Sequence, residues 1–283
     1  MGTSTSSGGG KAGSPFDPEW LDQGDAAGGP APDGGAPDGA PDDEGVPEDA
    51  PENGEAGLEP AQDRDIAPDR RFMPARSKMG KYLSGGGRDA LRGAASSMIK
   101  KGMGGAGRAS NTMRGVAQGA GRLGSFLEAV RDGTDPQVVD WIQRVRGQNL
   151  SASDLALELI KEVMPGTGSV DDESLRNAAA DALAQLYEQD PNVDIFQLDD
   201  QQITSVIGFT IANEVCNRMD LQLGQTYEKL KYSPVEIQAF RNDIKQWVHA
   251  EVQRIMEGLA AQRIDPQALA HGVLQTALEV FAE

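Results

Sequence analysis

The side chains that could act as nucleophiles or bases are few in this sequence, and they lie far apart. The chain of 283 residues has one cysteine, Cys216, and two histidines, His249 and His271. If the fold paired Cys216 with a histidine, the pair could supply the thiolate nucleophile of a hydrolase. We favour a buried structural cysteine, because that is the commoner role of a cysteine on a helix face. One cysteine and two histidines also exclude a disulfide framework and a Cys/His zinc site.

A glycine-rich run has the spacing of a dinucleotide-binding motif. Gly102, Gly104 and Gly107 match G-x-G-x-x-G, and Glu128 follows about twenty residues later. That motif binds a pyrophosphate only where a buried strand precedes it, and residues 94–101 do not have the composition of such a strand. In a chain with 35 glycines we interpret the match as coincidence. The sequence therefore predicts no catalytic residues, no metal site and no cofactor.

The N-terminus offers a nucleophile of another kind. Gly2 is small, so the initiator methionine would be removed and the Gly2 α-amine exposed. A free α-amine has a pKa of about 7.7–8.0, so a sizeable fraction of it is unprotonated at neutral pH. Gly2 is therefore a candidate acceptor for a covalent modification.

Charge and glycine content divide the chain into three segments. Residues 1–63 carry 15 acidic residues and one lysine, a net charge of −14. Residues 64–131 carry 14 basic and 4 acidic residues, a net charge of +10. Residues 132–283 carry 11 basic and 25 acidic residues, a net charge of −14. Because glycine content also falls after residue 131, we predict a domain boundary there.

Residues 1–63 have the composition of a disordered acidic tail. They contain 14 glycines and 9 prolines. Their few apolar side chains cannot offset an ordering cost of about 1–2 kcal/mol per residue. The exception is a short stretch near the N-terminus, where two aromatic residues and a leucine are typical of a docking motif. The predicted docking residues are Pro15, Phe16, Trp20 and Leu21.

Residues 64–131 are predicted to be a basic interaction segment made of helical pieces. The segment has 13 glycines, and each costs about 1 kcal/mol relative to alanine in a helix, which argues against one continuous helix. We expect the pieces to order only against a partner or the C-terminal domain. Docking onto an acidic protein surface or onto the acidic tail is favoured over nucleic acid, because few aromatic side chains are present to stack on bases. The candidate basic residues are Arg70, Arg71, Arg76, Lys78, Lys81, Arg88, Arg92, Lys100, Lys101 and Arg108.

Residues 132–283 are predicted to form an α-helical bundle. Helices should begin at Asp135, Ser233 and Asp265, where a capping residue is followed by proline. Further helix starts are expected at Ser151, Asp171 and Asp199. Apolar stripes at helical spacing predict that roughly six helices share one core. The one strand-like run, 193–198, is too short and solitary for a sheet, so the predicted fold class is all-α.

Targeting and membrane signals do not appear in the sequence. The N-terminus lacks the cationic and apolar regions of a signal peptide. No stretch approaches the roughly 18 apolar residues that a membrane-spanning helix needs. We therefore expect a soluble, cytoplasmic protein without a membrane partner.

Five short segments resemble a known family. They are residues 1–9, 87–93, 104–106, 168–178 and 215–218. The first resembles the opening of QatB, the B component of the Qat anti-phage defence systems of bacteria. The next two are similar to the arginine-, glycine- and alanine-rich part of that family, and the last two to its helical landmarks.

The resemblance implies a non-enzymatic component of a four-protein antiviral defence system. Its companions would be an ATPase, a protein related to the 7-cyano-7-deazaguanine synthases and a TatD-like nuclease. Because a synthase relative activates a carboxylate with ATP for transfer to an amine, we take the Gly2 amine as the acceptor in our leading hypothesis. The alternative is a nucleic-acid-binding adaptor that recruits the nuclease through residues 70–108. A hydrolase built on Cys216 and His249 is a third hypothesis.

Overall fold

A computed structural model describes residues 70–164, 166, 168–259 and 265–283. The predicted tail at 1–63, its docking residues and Gly2 lie outside the described residues. Throughout the described part the regular structure is helical, which confirms the all-α prediction. None of these helices is long and apolar enough to cross a membrane.

Eleven α-helices follow one another in the described residues. They are α1 (Met73–Lys81), α2 (Gly87–Ser97), α3 (Ala106–Thr112), α4 (Arg114–Asp132), α5 (Pro136–Arg146), α6 (Ala152–Val163), α7 (Val170–Gln189), α8 (Asp200–Leu223), α9 (Gln225–Leu230), α10 (Pro234–Leu259) and α11 (Pro266–Ala282). A kink at Tyr82–Gly86, where Gly85 has a φ angle of 92°, precedes α2, and a π-helical turn at Met98–Gly102 follows it.

The predicted caps start the helices for a common reason, which is that a side-chain oxygen satisfies a backbone N–H left free in the first turn. Asp135 accepts from the N–H of Gln137 at 2.8 Å, and proline follows the cap at the first helical position. Ser233 and Glu236 form a reciprocal pair at the start of α10, in which each side chain accepts from the other residue's N–H. Such local hydrogen bonds are readable from sequence.

One helix boundary and one connecting turn differ from the sequence prediction. Helix α7 begins at Val170 rather than at Asp171, because Ser169 is the cap and accepts from the N–H of Asp172. Asp199 caps α8 as predicted. The strand-like run at 193–198 contains a 3-10 turn, Ile195–Gln197, which the Asp194 carboxylate caps by accepting from Phe196 N–H.

Helix α8 lies at the centre, with α4, α7, α10 and α11 packed against it. Helix α4 belongs to the basic segment, yet its Leu123 and Leu127 are fully buried in the shared core. Arg70–Glu283 form one compact unit, so the change in charge and glycine content at residue 131 does not separate two cores. The basic charges lie on the outer faces of helices whose inner faces are apolar, and a charge count along the sequence cannot distinguish that arrangement from a separate segment.

Glycines in α4 let its backbone approach neighbouring helices. A Cβ atom on Gly124 would lie 2.5 Å from Ile207 Cδ1 and 3.0 Å from Pro266 Cβ, closer than side chains pack. Glycine at position 124 lowers the intrinsic stability of α4, but it allows α4 to contact α8 and α11 closely. By contrast, a Cβ atom on Gly272 in the middle of α11 would meet nothing within 4 Å.

The same glycine-to-alanine change should have opposite effects at these two sites. We expect Gly124→Ala to lower the free energy of unfolding by about 1–3 kcal/mol, because the added methyl group overpacks the α4–α8–α11 contact. Gly272→Ala should raise it by about 0.5–1 kcal/mol through better helix propensity. Urea unfolding followed by circular dichroism measures both. A Gly124→Ala variant as stable as Gly272→Ala would show that α4 does not pack this closely.

Candidate functional site

The two helical landmark segments meet in a polar network between α7 and α8 that surrounds one buried carboxylate. Ser174 Oγ on α7 donates a hydrogen bond to Glu214 Oε2 on α8 at 2.7 Å. Asn217, one turn further along α8, points its Nδ2 at the same carboxylate oxygen at 3.4 Å and at Ser174 Oγ at 3.3 Å. Residues about 40 positions apart in sequence are thereby joined, and neither landmark alone predicts the contact.

The carboxylate of Glu214 is the centre of this network. Only 2% of the residue is exposed. Burial raises the pKa of the Glu214 carboxyl, while the hydrogen bond from Ser174 and the charge of Arg218 oppose that shift. Arg218 Nη2 lies 3.7 Å from Glu214 Oε1 and 3.2 Å from Asp171 Oδ1, so it links the buried carboxylate to an exposed one. The cluster ties the start of α7 to α8.

A second polar contact continues the network toward α10. Asn213 Nδ2 donates to the carbonyl oxygen of Ala178 at 3.0 Å, which leaves Asn213 Oδ1 as an acceptor. His249 Nε2 lies 2.9 Å from that oxygen and so carries the proton of the neutral imidazole. The His249 ring also stacks on Phe209. Burial, helped by the charge of Lys245, lowers the pKa of His249 to about 4.

Cys216 and His249 are held in states that do not suit a nucleophile pair. Burial raises the pKa of the Cys216 thiol to about 12, so the thiol is neutral. His249 is neutral as well, and its Nε2 bonds to Asn213 rather than to sulfur. A thiolate–imidazolium pair requires the opposite shifts. His271 is an exposed residue of α11.

The glycine motif at 102–107 has a helical context. It follows α2 and a π-helical turn, and it runs into α3, a helix of seven residues. Gly104 and Gly105 have positive φ angles, 79° and 100°, which explains the glycines through the turn between the helices. Within the described residues, no group of three or more His, Cys, Asp or Glu side chains is placed to hold a metal ion.

Five of the ten predicted basic residues are held by contacts within the unit. Arg88 Nη2 lies 2.7 Å from Asp243 Oδ1, and Arg92 approaches Glu251 at 3.9 Å. The other three are Arg71 over the Phe72 ring, Arg76 bonded to the Gln222 carbonyl oxygen, and Lys100 bonded to a Glu283 oxygen. The sequence predicts that these basic residues bind a partner, but these five make contacts within the unit.

The other five residues of the set are exposed, as Arg88, Arg92 and Lys100 also are. Arg70, Lys78, Lys81 and Lys101 are exposed and make no ion pair or hydrogen bond through their side chains to the part of the chain that the structure describes. Arg108 is exposed and takes part in an interaction within the chain. The free cations therefore lie before and on α1 and at the turn that follows α2.

A cavity of about 210 Å³ lies beside the Glu214 network, where α1, α8, α9 and α10 meet. Cys216 and Asn217 of the second landmark line it, together with Met79, Tyr227, Arg241 and Lys245. Sequence reasoning singled out Cys216 but not Tyr227 or Arg241. Tyr227 lies in α9 and Arg241 in α10, and the two residues match no sequence motif. Only the fold shows that they line the same cavity.

The buried neutral His249 predicts a pH-dependent stability. Its pKa of about 4 lies below the value near 6.5 expected when unfolded. The unfolded chain therefore binds the proton more strongly, and the free energy of unfolding should fall as pH drops from about 6.5 toward 4. Over that pH range, the free energy of unfolding of a His249→Gln variant should fall by about 1–3 kcal/mol less than that of the unsubstituted protein. Urea unfolding measures both.

His271→Gln is the matched control, because it removes an exposed histidine. Its stability should follow the unsubstituted protein at every pH. The raised pKa of Glu214 acts in the opposite direction as pH falls. Because both variants keep Glu214, the difference between their pH profiles reports the contribution of His249 alone. Equal pH profiles for His249→Gln and His271→Gln would contradict a buried neutral His249.

Comparison with protein families shows a match to the family described as "Qat anti-phage system associated protein QatB" over residues 104–281. This span is more than half of the chain and contains both segments that the Glu214 network joins. No curated protein and no solved structure matches the chain. The chain therefore belongs to the QatB family and is a component of the Qat anti-phage system.

Proposed function

We propose that this protein acts in the Qat system as a non-catalytic adaptor, and that its Gly2 α-amine accepts an acyl group from the system's 7-cyano-7-deazaguanine-synthase-like protein. Family membership is the observation that carries the proposal, because it ties the chain to a multi-protein system. The neutral state of Cys216 and of His249 supports a role in binding, since neither side chain is poised to react.

The transfer to Gly2 is ordinary acyl chemistry. The synthase-like partner would activate a carboxylate with ATP, and the unprotonated amine would attack the activated carboxyl carbon. An amide bond forms as the bond from that carbon to the activating phosphate breaks, and the nitrogen loses a proton. Gly2 needs no assistance from the helical unit, because the partner supplies the activated group and about a tenth or more of a free α-amine is unprotonated at pH 7.

Intact-mass measurement tests the acceptor. The protein co-expressed with the synthase-like protein should gain a mass on the peptide that begins at Gly2, and the protein expressed alone should not. A Gly2→Lys variant is the control, because methionine is retained before a large residue and the Gly2 amine is then never exposed. Co-purification of the two proteins should also be lost when residues 2–21, which hold the predicted docking residues, are deleted.

Two results would contradict the proposal separately. An N-terminal peptide of the same mass with and without the partner excludes the acceptor role. Unaltered co-purification after the deletion excludes docking through Pro15, Phe16, Trp20 and Leu21. Deletions that map partners should stop before Arg70, because Arg70–Glu283 share one core.

A second function, nucleic-acid binding, is favoured by the unpartnered cations at the surface. Arg70, Lys78, Lys81 and Lys101 lack side-chain partners among the described residues. Each phosphate neutralised by such a group releases counterions, so binding of this kind weakens steeply with salt. An adaptor of this type would bring the system's nuclease to phage DNA.

Gel shifts across a salt series test this function. If it holds, the protein should retard double-stranded DNA at low salt. The double variant Lys78→Glu/Lys101→Glu should weaken binding and reduce the slope of log K against log salt by about 2. The control Arg144→Glu/Lys161→Glu changes the charge equally on α5 and α6, and it should bind as the unsubstituted protein does. No shift at low salt eliminates this function.

A further inference from the structure

The cavity between α1, α8, α9 and α10 has an apolar wall contributed by three of these helices. Met79 of α1, Met219 of α8 and Ile244 of α10 line it, and all three are nearly fully buried. The ring of Tyr227 from α9 completes this wall. Methionine side chains adapt their shape to an inserted group, so the wall suits a flat or irregular apolar body.

One hydroxyl at the cavity has no hydrogen-bond partner among the described residues. Tyr227 is 3% exposed, and its hydroxyl makes no hydrogen bond to any residue that the structure describes. Burial raises the pKa of Tyr227 to about 12, so the hydroxyl is protonated and able to donate. The cavity thus presents a free donor at the edge of an apolar wall.

The wall from α10 adds further donors and a positive charge. Arg241 uses Nε and Nη2 to bind both oxygens of Asp220, at 3.0 and 2.8 Å, and leaves Nη1 unbonded. Lys245 Nζ is 3.7 Å from Asp181, a distance at which its donors are free for a closer acceptor. Asn242 accepts through Oδ1 from Gln238 and keeps its Nδ2 donors.

Unused donors are therefore gathered on α9 and α10, where Arg241 pairs with Asp220 of the lining and Lys245 lies near Asp181 outside it. Arg241 and Lys245 are positive and Asp220 is negative, which gives the lining a net charge of +1. An anion would supply acceptors for the unused donors of Tyr227, Asn242 and Lys245. The volume, 210 Å³, is below the 300–1,000 Å³ of sites for drug-sized ligands, so the ligand is small.

We propose that this cavity binds a small carboxylate with an apolar, aromatic body. The carboxylate would accept hydrogen bonds from the Tyr227 hydroxyl and the Lys245 ammonium group, while the ring would pack against Met79, Met219 and Ile244. Binding is non-covalent, because the Cys216 thiol in the wall is neutral. The same chemistry is offered by a free aromatic acid and by a polypeptide that ends in phenylalanine, and either source would fill the cavity. This site is independent of the proposed acceptor role of Gly2.

The test uses the full chain and benzoate as the probe, followed by NMR titration of backbone amides. Benzoate should shift the amide signals of Cys216, Tyr227 and Ile244 in a saturable way. Benzamide keeps the ring but has no charge, and it should bind at least tenfold more weakly. Acetate keeps the charge but has no ring, and it should not saturate. Benzoate and benzamide binding equally well would overturn the proposal.

Two substitutions assign the donors. Tyr227→Phe keeps the ring and removes only the hydroxyl, and it should weaken benzoate binding about tenfold or more, as expected for a hydrogen bond to a charged group. Lys245→Met should weaken it similarly. Lys161→Met, on the exposed face of α6, is the control and should leave the dissociation constant unchanged. Circular dichroism of each variant checks folding, and a folded Tyr227→Phe variant with unchanged affinity would overturn the proposal.

A peptide competition experiment distinguishes a free aromatic acid from a polypeptide that ends in phenylalanine. A tripeptide ending in phenylalanine with a free C-terminus is compared with the same peptide amidated at its C-terminus. Competition with benzoate by the free-acid form alone identifies a polypeptide end as the natural group. If neither peptide competes while benzoate binds, the site takes a free aromatic acid.

Discussion

Helix α8 must bury polar and apolar side chains together, because α4, α7, α10 and α11 all pack against it. An apolar side chain on α8 tolerates several neighbours, but a buried carboxylate or amide does not, since each unsatisfied group costs about 1–3 kcal/mol. Glu214 requires Ser174, and Asn213 requires both the Ala178 carbonyl oxygen and His249. These hydrogen bonds fix the register of α7 and α10 against α8. The positions of α8 and α10 in turn determine the shape of the cavity that they line.

Small residues set how closely the surrounding helices approach α8. Gly124 places the backbone of α4 against Ile207, which a side chain of any size would prevent. The segment with the most glycine and positive charge is therefore part of the core on one face and basic on the other. A helix can be both part of the core and basic at the surface, because its buried residues recur every three or four positions and the residues between them face outward. Net charge summed over a segment averages the two faces and loses that information.

Sequence reasoning succeeded where the determining interaction is local. The starts of α5, α10 and α11 follow from a capping side chain and a proline within a few residues of each other. The sequence did not predict the Glu214 network, because its partner Ser174 on α7 lies 40 residues away and meets Glu214 only where α7 packs against α8. Asn213 and Glu214 directly follow the largely apolar run 206–212 of α8, and polar residues at such a position are a usable signal for a buried network. Tyr227 offers no comparable signal, since a tyrosine in a short helix is unremarkable until its hydroxyl is found without a partner.

The cavity and the basic surface share helix α1, which connects the two binding features of the unit. Met79 faces the cavity, whereas Lys78 and Lys81 on the same helix are exposed. Arg76 fastens α1 to the end of α8 through the Gln222 carbonyl oxygen at 2.9 Å. A ligand packed against Met79 would add to the contacts that α1 already makes with α2, α8 and α9. If the ligand favoured one placement of α1, a partner that binds the exposed cations in that placement would favour ligand binding in turn, because coupling between two sites is reciprocal.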